Sequence, residues 1–213
     1  MMPIRLKQNF KGFTLVELLV ALMVTSIVLT AVATLAYALG VANDSSNDTS
    51  VKQAQVRYAT LRISELIRHS KLICGVHSED LAIWRADENG DGQINIEELV
   101  YVEWNLGQIR LLEFSPPPGH EDDIILVGNI KAGTVKNGLI SSADESYTVF
   151  LSQCSNVQIS THGIPVPETR RISVFFDLVE NGAVHNYQIS AALRGWGGNL
   201  LSSDGSSIVS DDD

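Results

Sequence analysis

The hydrophobic pattern is dominated by a long apolar run near the N-terminus, where residues 13–41 carry a single charge, on Glu17. At the helical rise this run extends roughly 43 Å, which exceeds the bilayer hydrocarbon thickness of about 30 Å. A secretory signal peptide has a shorter apolar region that ends in small residues at a cleavage site. The run therefore predicts a transmembrane helix that the mature protein keeps.

A second helical pattern follows a polar interruption. Residues 43–50 are all Asn, Asp, Ser or Thr, which compete with the backbone for hydrogen bonds, so the helix is expected to break or loosen there. Apolar residues then recur at helical spacing as far as Ile73, and Gly75 is placed to end the helix. Residues 42–75 are thus predicted to form a linker and an amphipathic helix whose apolar face packs on a sheet.

From residue 76 to residue 200 the pattern changes to short apolar runs between turn residues, which predicts a mainly antiparallel sheet. The expected strands are residues 81–85, 99–104, 109–114, 124–127, 147–151 and 157–160. The strongest hairpin joins 171–180 to 183–193, because the intervening Asn-Gly suits the φ > 0 positions of a two-residue turn. The predicted fold class is α+β, with a long N-terminal helix packed on a β-rich head.

The sequence at the start of the apolar run carries the clearest family signal. It reads Lys11-Gly12-Phe13-Thr14-Leu15-Val16-Glu17 and follows a short basic leader. This segment resembles the class III signal of type IV pilins and type II secretion pseudopilins. The resemblance implies that prepilin peptidase removes the leader, residues 1–12, by cutting between Gly12 and Phe13. It also implies methylation of the new Phe13 amine.

The resemblance implies an architecture and a role as well. The architecture is the pilin-like lollipop, in which the transmembrane half of the helix continues into an amphipathic half. The implied role is that of a minor subunit, similar to J-type pseudopilins of type II secretion, with W-type minor pilins of type IV pili as the close alternative. The implied partners are prepilin peptidase, other pilin-like subunits and an inner-membrane assembly platform. The apolar helix lacks the proline of many major pilins, which argues against a bulk filament role.

Glu17 is an acidic residue within an apolar segment. A carboxylate at the centre of a membrane helix costs about 2.5–3.5 kcal/mol on insertion scales, so such a residue usually has a partner. The resemblance suggests an assembly contact with the positive Phe13 amine of a neighbouring subunit. The alternative is that Glu17 lies at the membrane interface and complements the N-terminus of its own helix.

The charge distribution indicates orientation and limits the choice of partners. Of 15 Lys and Arg residues, the leader holds Arg5, Lys7 and Lys11, so the mature chain has 12 basic and 25 acidic residues, a formal charge of −13. Nucleic acid is not expected as a partner of so acidic a chain. The basic leader predicts a cytoplasmic N-terminus, which makes the chain a single-pass cytoplasmic-membrane protein with a periplasmic or extracellular C-terminal domain.

Two smaller expectations follow from composition. Cys74 and Cys154 would lie in an oxidising space where a disulfide persists, so a bond between them is expected; the alternative is two buried thiols. Residues 201–213 are rich in Ser and Asp and are expected to form a disordered acidic tail.

Residues 87–98, Asp-Glu-Asn-Gly-Asp-Gly-Gln-Ile-Asn-Ile-Glu-Glu, match the spacing of a twelve-residue calcium loop of the EF-hand type. Glycine at position 6 allows a sharp turn, and oxygen groups at alternate positions can converge on a hard cation. The expected calcium ligands are Asp87, Asn89, Asp91, Gln93 through its carbonyl, Asn95 and Glu98. The flanking sequences look like strands rather than helices. The alternative is a solvated connection, because Asn-Gly and Asp-Gly are also common turn dipeptides.

The sequence contains no HExxH, CxxC, GxSxG or P-loop motif. The chain is therefore expected to be a structural protein rather than an enzyme. A different class of function remains open at this point, in which the chain is a signal-anchored periplasmic calcium-binding module that does not assemble.

Overall fold

The computed structural model describes residues 12–77, 79–195, 199 and 201–209. Residues 1–11 of the predicted leader therefore lie outside the described part of the chain. A first compact unit ends at Asn47 and a second begins at Asp48. One long helix, α1, spans Leu15–His69 and contributes residues to both units.

In the first unit every described residue, from 12 to 47, is exposed. The hydroxyl groups of this apolar segment donate to the helix's own carbonyls: Thr25 to Ala21 at 2.9 Å, Thr30 to Ser26 at 2.8 Å, and Thr34 to Thr30 at 2.8 Å. Because these donors are satisfied inside the helix, they can face hydrocarbon without an unpaired polar group.

The predicted break at residues 43–50 is wrong, because α1 runs through this segment without interruption. Two of its polar side chains, those of Asp48 and Thr49, bind a distant residue instead of competing with the helix backbone. Asn181 donates its N–H to Asp48 Oδ2 at 3.1 Å and its Nδ2 to Thr49 Oγ1 at 2.9 Å. A tertiary contact therefore overrides the local preference of Asp and Thr for non-helical structure.

The predicted end of the helix near Gly75 is also wrong, because α1 ends at His69. Ser70 closes the last turn by donating its N–H to Leu66 O at 3.1 Å and its Oγ to Ile67 O at 2.8 Å. The next residues form strand β1, Leu72–Val76, which pairs with strand β2, Asp80–Trp84. Pairing with β2 therefore makes this segment a strand, although the spacing of its apolar residues also suits a helix.

The strands form two antiparallel sheets, one of five strands in the order β1-β2-β3-β4-β5 and one of three strands in the order β6-β7-β8. The remaining strands are β3 Leu99–Asn105, β4 Gln108–Ser115, β5 Asp144–Ser152, β6 Cys154–Ser160, β7 Arg171–Glu180 and β8 Ala183–Ala192. The α+β class is confirmed, and so is the hairpin at Asn181 and Gly182, whose φ angles are +50° and +78°.

The core of the second unit lies on both faces of the five-stranded sheet. On one face, Ala59, Ile63 and Ile67 of α1 pack with alternate strand residues and with the three-stranded sheet. On the other face, a second cluster contains Trp84 and Tyr101 together with residues of two short helices. These helices are α2, Val127–Lys131, and α3, Val135–Ser142.

Two further predictions are wrong, and both concern segments near the second core cluster. Residues 124–127 form no strand, because α2 begins at Val127 and buries that side chain. Within the predicted disordered tail, residues 201–209 are ordered: Leu201 and Ile208 form a β-bridge, and Ser206 O accepts the Gly128 N–H at 2.9 Å. Residues 210–213 of that tail lie outside the described part of the chain.

The predicted disulfide is wrong in this structure, because Cys74 and Cys154 are both free and buried. Cys74 belongs to the cluster that contains Trp84, whereas Cys154 belongs to the cluster that contains the α1 residues. The five-stranded sheet lies between these clusters, since alternate residues of its strands face each of them. Burial raises the pKa of the thiol to about 12 for Cys74 and about 11 for Cys154.

Candidate functional site

The predicted cleavage junction lies just before the first turn of α1. Gly12 and Phe13 are exposed and outside the helix. A Cβ atom at Gly12 would meet no atom within 4 Å of the described structure, and Gly12 is not among the described glycines with positive φ. Neither backbone conformation nor packing against the described residues therefore accounts for glycine at this position.

Glu17 and Thr14 form a reciprocal cap at the start of α1. Thr14 donates its N–H to Glu17 Oε2 at 3.0 Å, and Glu17 donates its N–H to Thr14 Oγ1 at 3.3 Å. This is the capping box expected from Thr-x-x-Glu, a local signal that identifies Thr14 as a further residue of the site. In the single chain, the Glu17 carboxylate thus caps the N-terminus of its own helix. This is the alternative to an assembly contact that the sequence left open.

Comparison with known families agrees with this site. Residues 7–33 match the family described as the prokaryotic N-terminal methylation motif. No curated protein and no solved structure matches the chain. The match identifies the class III prepilin signal and is consistent with the type IV pilin and pseudopilin family.

The signal has three general consequences. It supports a type IV pilin-like protein, it implies processing by a peptidase and assembly with other pilin subunits, and it points to a structural subunit rather than an enzyme. Within the described chain, α1 is long and apolar enough to cross a membrane, with a mean hydropathy of 2.5 over its most apolar window. Signal and helix together support a single-pass membrane protein.

The predicted calcium loop connects β2 to β3, so its flanks are strands, as the sequence indicates. The loop ends in a short 3-10 turn, Ile96–Glu98. Gly90 and Gly92 have φ angles of +75° and +70°, which glycine adopts without steric cost. Ile94 fixes the loop to the second core cluster, since its side chain is fully buried and its carbonyl accepts the Ile125 N–H at 2.8 Å.

Two predicted ligand residues meet at the exposed tip of this loop. Asn89 Nδ2 donates to Asp91 Oδ2 at 3.0 Å, and Asp91 N–H donates to Asn89 Oδ1 at 3.0 Å. Asp91 Oδ1 also accepts the N–H of Gln93 at 2.7 Å. The side chains at positions 3 and 5 are therefore held together by hydrogen bonds within the loop.

Asp87, at the first position of the loop, is paired with a lysine that the sequence analysis did not identify. Lys71 Nζ lies 2.9 Å from Asp87 Oδ2 and 5.0 Å from the centroid of the Trp84 ring. Burial by itself would raise the pKa of Asp87. The Lys71 ammonium and the N–H dipoles of Gly92 and Gly90 outweigh burial, and the pKa lies below its ordinary value.

The last position of the loop, Glu98, is buried and reaches back to its beginning. Its Oε1 accepts the N–H of Glu88 at 2.6 Å, and its Oε2 accepts Trp84 Nε1 at 3.0 Å. Asn95 is 3% exposed, and neither polar atom of its side chain has a hydrogen-bond partner in the part of the chain that the structure describes. Among the described residues, no three His, Cys, Asp or Glu side chains are gathered into a metal-holding cluster.

A second group of charges, which the sequence analysis missed, joins β2, β3, β4 and α3. Lys136 Nζ lies 2.8 Å from Asp80 Oδ2 and also contacts Glu103 Oε2, whose other oxygen accepts Arg110 Nε. His77 Nδ1 lies 3.0 Å from Asp80 Oδ1. Asp80 faces Glu103 and Glu103 faces Arg110 in the strand register, so cross-strand pairing aligns three of these charges.

Lys136 is the cation that holds this group together. Partial burial would lower its pKa, but the hydrogen bonds to Asp80 and Glu103 and the charges of these carboxylates raise it above the ordinary lysine value. Glu103 is only 4% exposed and depends on Lys136 and Arg110 for compensation. The group therefore ties α3 to the sheet.

Proposed function

We propose that this chain is a minor pilin-like structural subunit, a pseudopilin of a type II secretion system, that assembles through α1 into a short periplasmic fibre. The observation that carries the proposal is the position of the N-terminal methylation motif directly on an exposed apolar helix. A helix apolar on all sides has no stable place in water, so it requires lipid or other helices. In this proposal, α1 lies in the membrane before assembly. In the fibre it leaves the lipid and packs against the helices of other subunits.

Maturation creates the charge on which assembly depends. Prepilin peptidase cuts after Gly12, removes the basic leader and methylates the Phe13 amine. The basic leader first holds the N-terminus in the cytoplasm, which places the residues beyond the span outside it. The free amine then stands one residue before Thr14, at the helix end where the Glu17 carboxylate lies.

The capping box shapes the role proposed for Glu17. In the single chain its carboxylate accepts hydrogen bonds from Thr14 and is not paired with a cation in the described structure. A positive Phe13 amine from a neighbouring subunit supplies such a cation. Because an ion pair is strong where water is excluded, correct docking neutralises both charges and fixes the register between neighbouring helices.

The choice of a secretion fibre over a type IV pilus rests on the resemblance to J-type pseudopilins. The missing proline in α1 argues against a bulk filament role. The other pilin-like subunits, an inner-membrane platform and a motor ATPase are partners in this proposal. In this proposal, those partners drive assembly and form the rest of the fibre, while this chain contributes the apolar part of α1 and an acidic C-terminal domain.

Replacing Glu17 with glutamine tests the assembly step. Glutamine is also accepted at this position of a capping box, so α1 should begin as before. We expect the fraction of mature protein incorporated into fibre to fall by roughly tenfold, because the charge-assisted pair with a neighbouring amine is lost. Co-sedimentation with sheared fibre, in cells that carry the peptidase and the other subunits, measures this fraction.

The matched control is Glu65→Gln, which removes an exposed charge from the same helix beyond the apolar segment. It should leave incorporation unchanged, and both variants should be processed after Gly12. Normal incorporation of Glu17→Gln would mean that Glu17 serves only as a helix cap. Absence of the unmodified chain itself from the sheared fibre would favour the anchored module that does not assemble.

A further inference from the structure

The loop of residues 87–98 has no part in the proposed assembly, yet it contains buried polar atoms without partners. Among the described residues, both side-chain polar atoms of Asn95 are buried without a hydrogen-bond partner, and so is Asp87 Oδ1. Buried polar atoms are normally hydrogen-bonded, because leaving them without a partner is unfavourable. These atoms, at positions 9 and 1 of the loop, therefore point to a missing ligand.

We propose that this loop binds one calcium ion and that Lys71 competes with the ion for Asp87. The ligand set contains only oxygen, which suits a hard cation such as Ca²⁺. It consists of Asp87, Asn89, Asp91, the carbonyl of Gln93, Asn95 and Glu98.

Hydrogen bonds hold the base and the tip of the loop together. Asp87, at the first position of the loop, has Oδ2 beside Lys71 and a buried Oδ1. The Glu98 carboxylate contacts the N–H of Glu88, which places the last position of the loop beside the second. The loop is therefore closed at its base, while Asn89 and Asp91 meet at its tip.

Lys71 occupies the place of a cation at this site. Its ammonium lies 2.9 Å from Asp87 Oδ2, on a side chain that is 39% exposed. An arriving Ca²⁺ takes Asp87 as a ligand and leaves Lys71 with the face of Trp84 and the solvent as its surroundings.

The competition also sets the expected affinity. Extracellular calcium modules with few carboxylates have dissociation constants of about 10⁻⁴ to 10⁻³ M. A lysine that must be displaced keeps this loop in the weak range. Removal of Lys71 should therefore tighten calcium binding, whereas loss of a loop carboxylate should weaken it.

Calorimetric titration of the full-length protein in detergent with CaCl₂, after treatment with a chelator, tests the proposal. We expect one site per chain with a Kd of about 10⁻⁴ to 10⁻³ M. Lys71→Met should bind about two- to fivefold more tightly, as expected for loss of a half-exposed ion pair. Asp91→Asn should bind at least about tenfold more weakly; Asp91 is exposed, so this variant should still fold.

Matched controls separate this loop from other acidic segments. Asp122→Asn removes an exposed carboxylate from a different loop, and Lys131→Met removes an exposed lysine from α2. Both should bind calcium as the unmodified chain does. The proposal is overturned if neither the unmodified chain nor Lys71→Met gives heat, or if Asp91→Asn binds unchanged. Equal affinity of Lys71→Met and the unmodified chain would refute the competition.

Discussion

Replacing Gly12 with leucine is expected to leave the leader on the chain and to lower the yield of mature protein by about 100-fold. In the proposed processing, a branched side chain beside the scissile bond displaces that bond from the reacting geometry. Within this chain the leucine is harmless, because a Cβ atom at Gly12 meets nothing within 4 Å of the described residues. N-terminal sequencing of the membrane-bound protein measures the ratio of uncut to mature chain.

The chain offers a matched control in Gly40, a second glycine with open space around its Cβ position. Gly40 lies inside α1, where leucine is a better helix former than glycine. Gly40→Leu should therefore mature as efficiently as the unmodified chain. Equal maturation of both variants would show that Gly12 is not required for cleavage, and the class III signal would then not account for the N-terminus.

The largest expected effect on stability comes from Lys136. Its replacement with methionine leaves Asp80 without its lysine partner and the buried Glu103 with Arg110 alone. We expect the free energy of unfolding of the second unit to fall by about 3 kcal/mol, because breaking a buried ion pair leaves an uncompensated charge. Chemical unfolding of the full-length protein in detergent, followed by near-UV circular dichroism, measures this change.

Two comparisons separate the ion group from a general effect of losing a lysine. Lys131→Met, an exposed change in α2, should alter the free energy of unfolding by less than about 0.5 kcal/mol. The pKa of Lys136 is raised in the folded state, so its contribution is complete below the ordinary lysine pKa of about 10.4 and is lost as pH rises through the folded value. The difference between Lys136→Met and the unmodified chain should therefore be constant at neutral pH and shrink above about pH 10.4. A neutral-pH difference below about 0.5 kcal/mol would contradict the role assigned to Lys136.

The parts of the fold that the sequence predicts correctly depend on local signals. Short apolar runs between turn residues place the strands near residues 99–104, 109–114 and 147–151, and the residues of the first two strands pack alternately into the two core clusters. The Asn181-Gly182 turn follows from the φ angles that its two residues accept. The capping box at Thr14 and Glu17 is local in the same way, since its partners lie three residues apart.

The errors arise where contacts between distant segments decide the structure. The segment around Ile73 suits a helix by spacing, but pairing with β2 makes it a strand. Residues 43–50 favour a break, but Asp48 and Thr49 bind the β7–β8 turn and the helix continues. Cys74 and Cys154 could be assigned to different cores only after the strand register was known.

The contacts of the charged residues could likewise be predicted from the sequence only in part. The pairing of Glu103 with Arg110 follows from counting back from the turn between β3 and β4. Lys136 joins these residues through α3, whose docking the sequence does not reveal. Similarly, the spacing of residues 87–98 identifies the loop, but only the structure places Lys71 beside Asp87.

The central claim is that this chain is a processed, membrane-anchored, pilin-like subunit. Intact mass spectrometry of the full-length gene product, recovered from membranes of cells that carry prepilin peptidase, tests it most directly. The predicted result is a chain that begins at Phe13 and carries one additional methyl group at its N-terminus. A chain that still begins at Met1 or Met2 would contradict the claim and leave α1 as a membrane anchor alone.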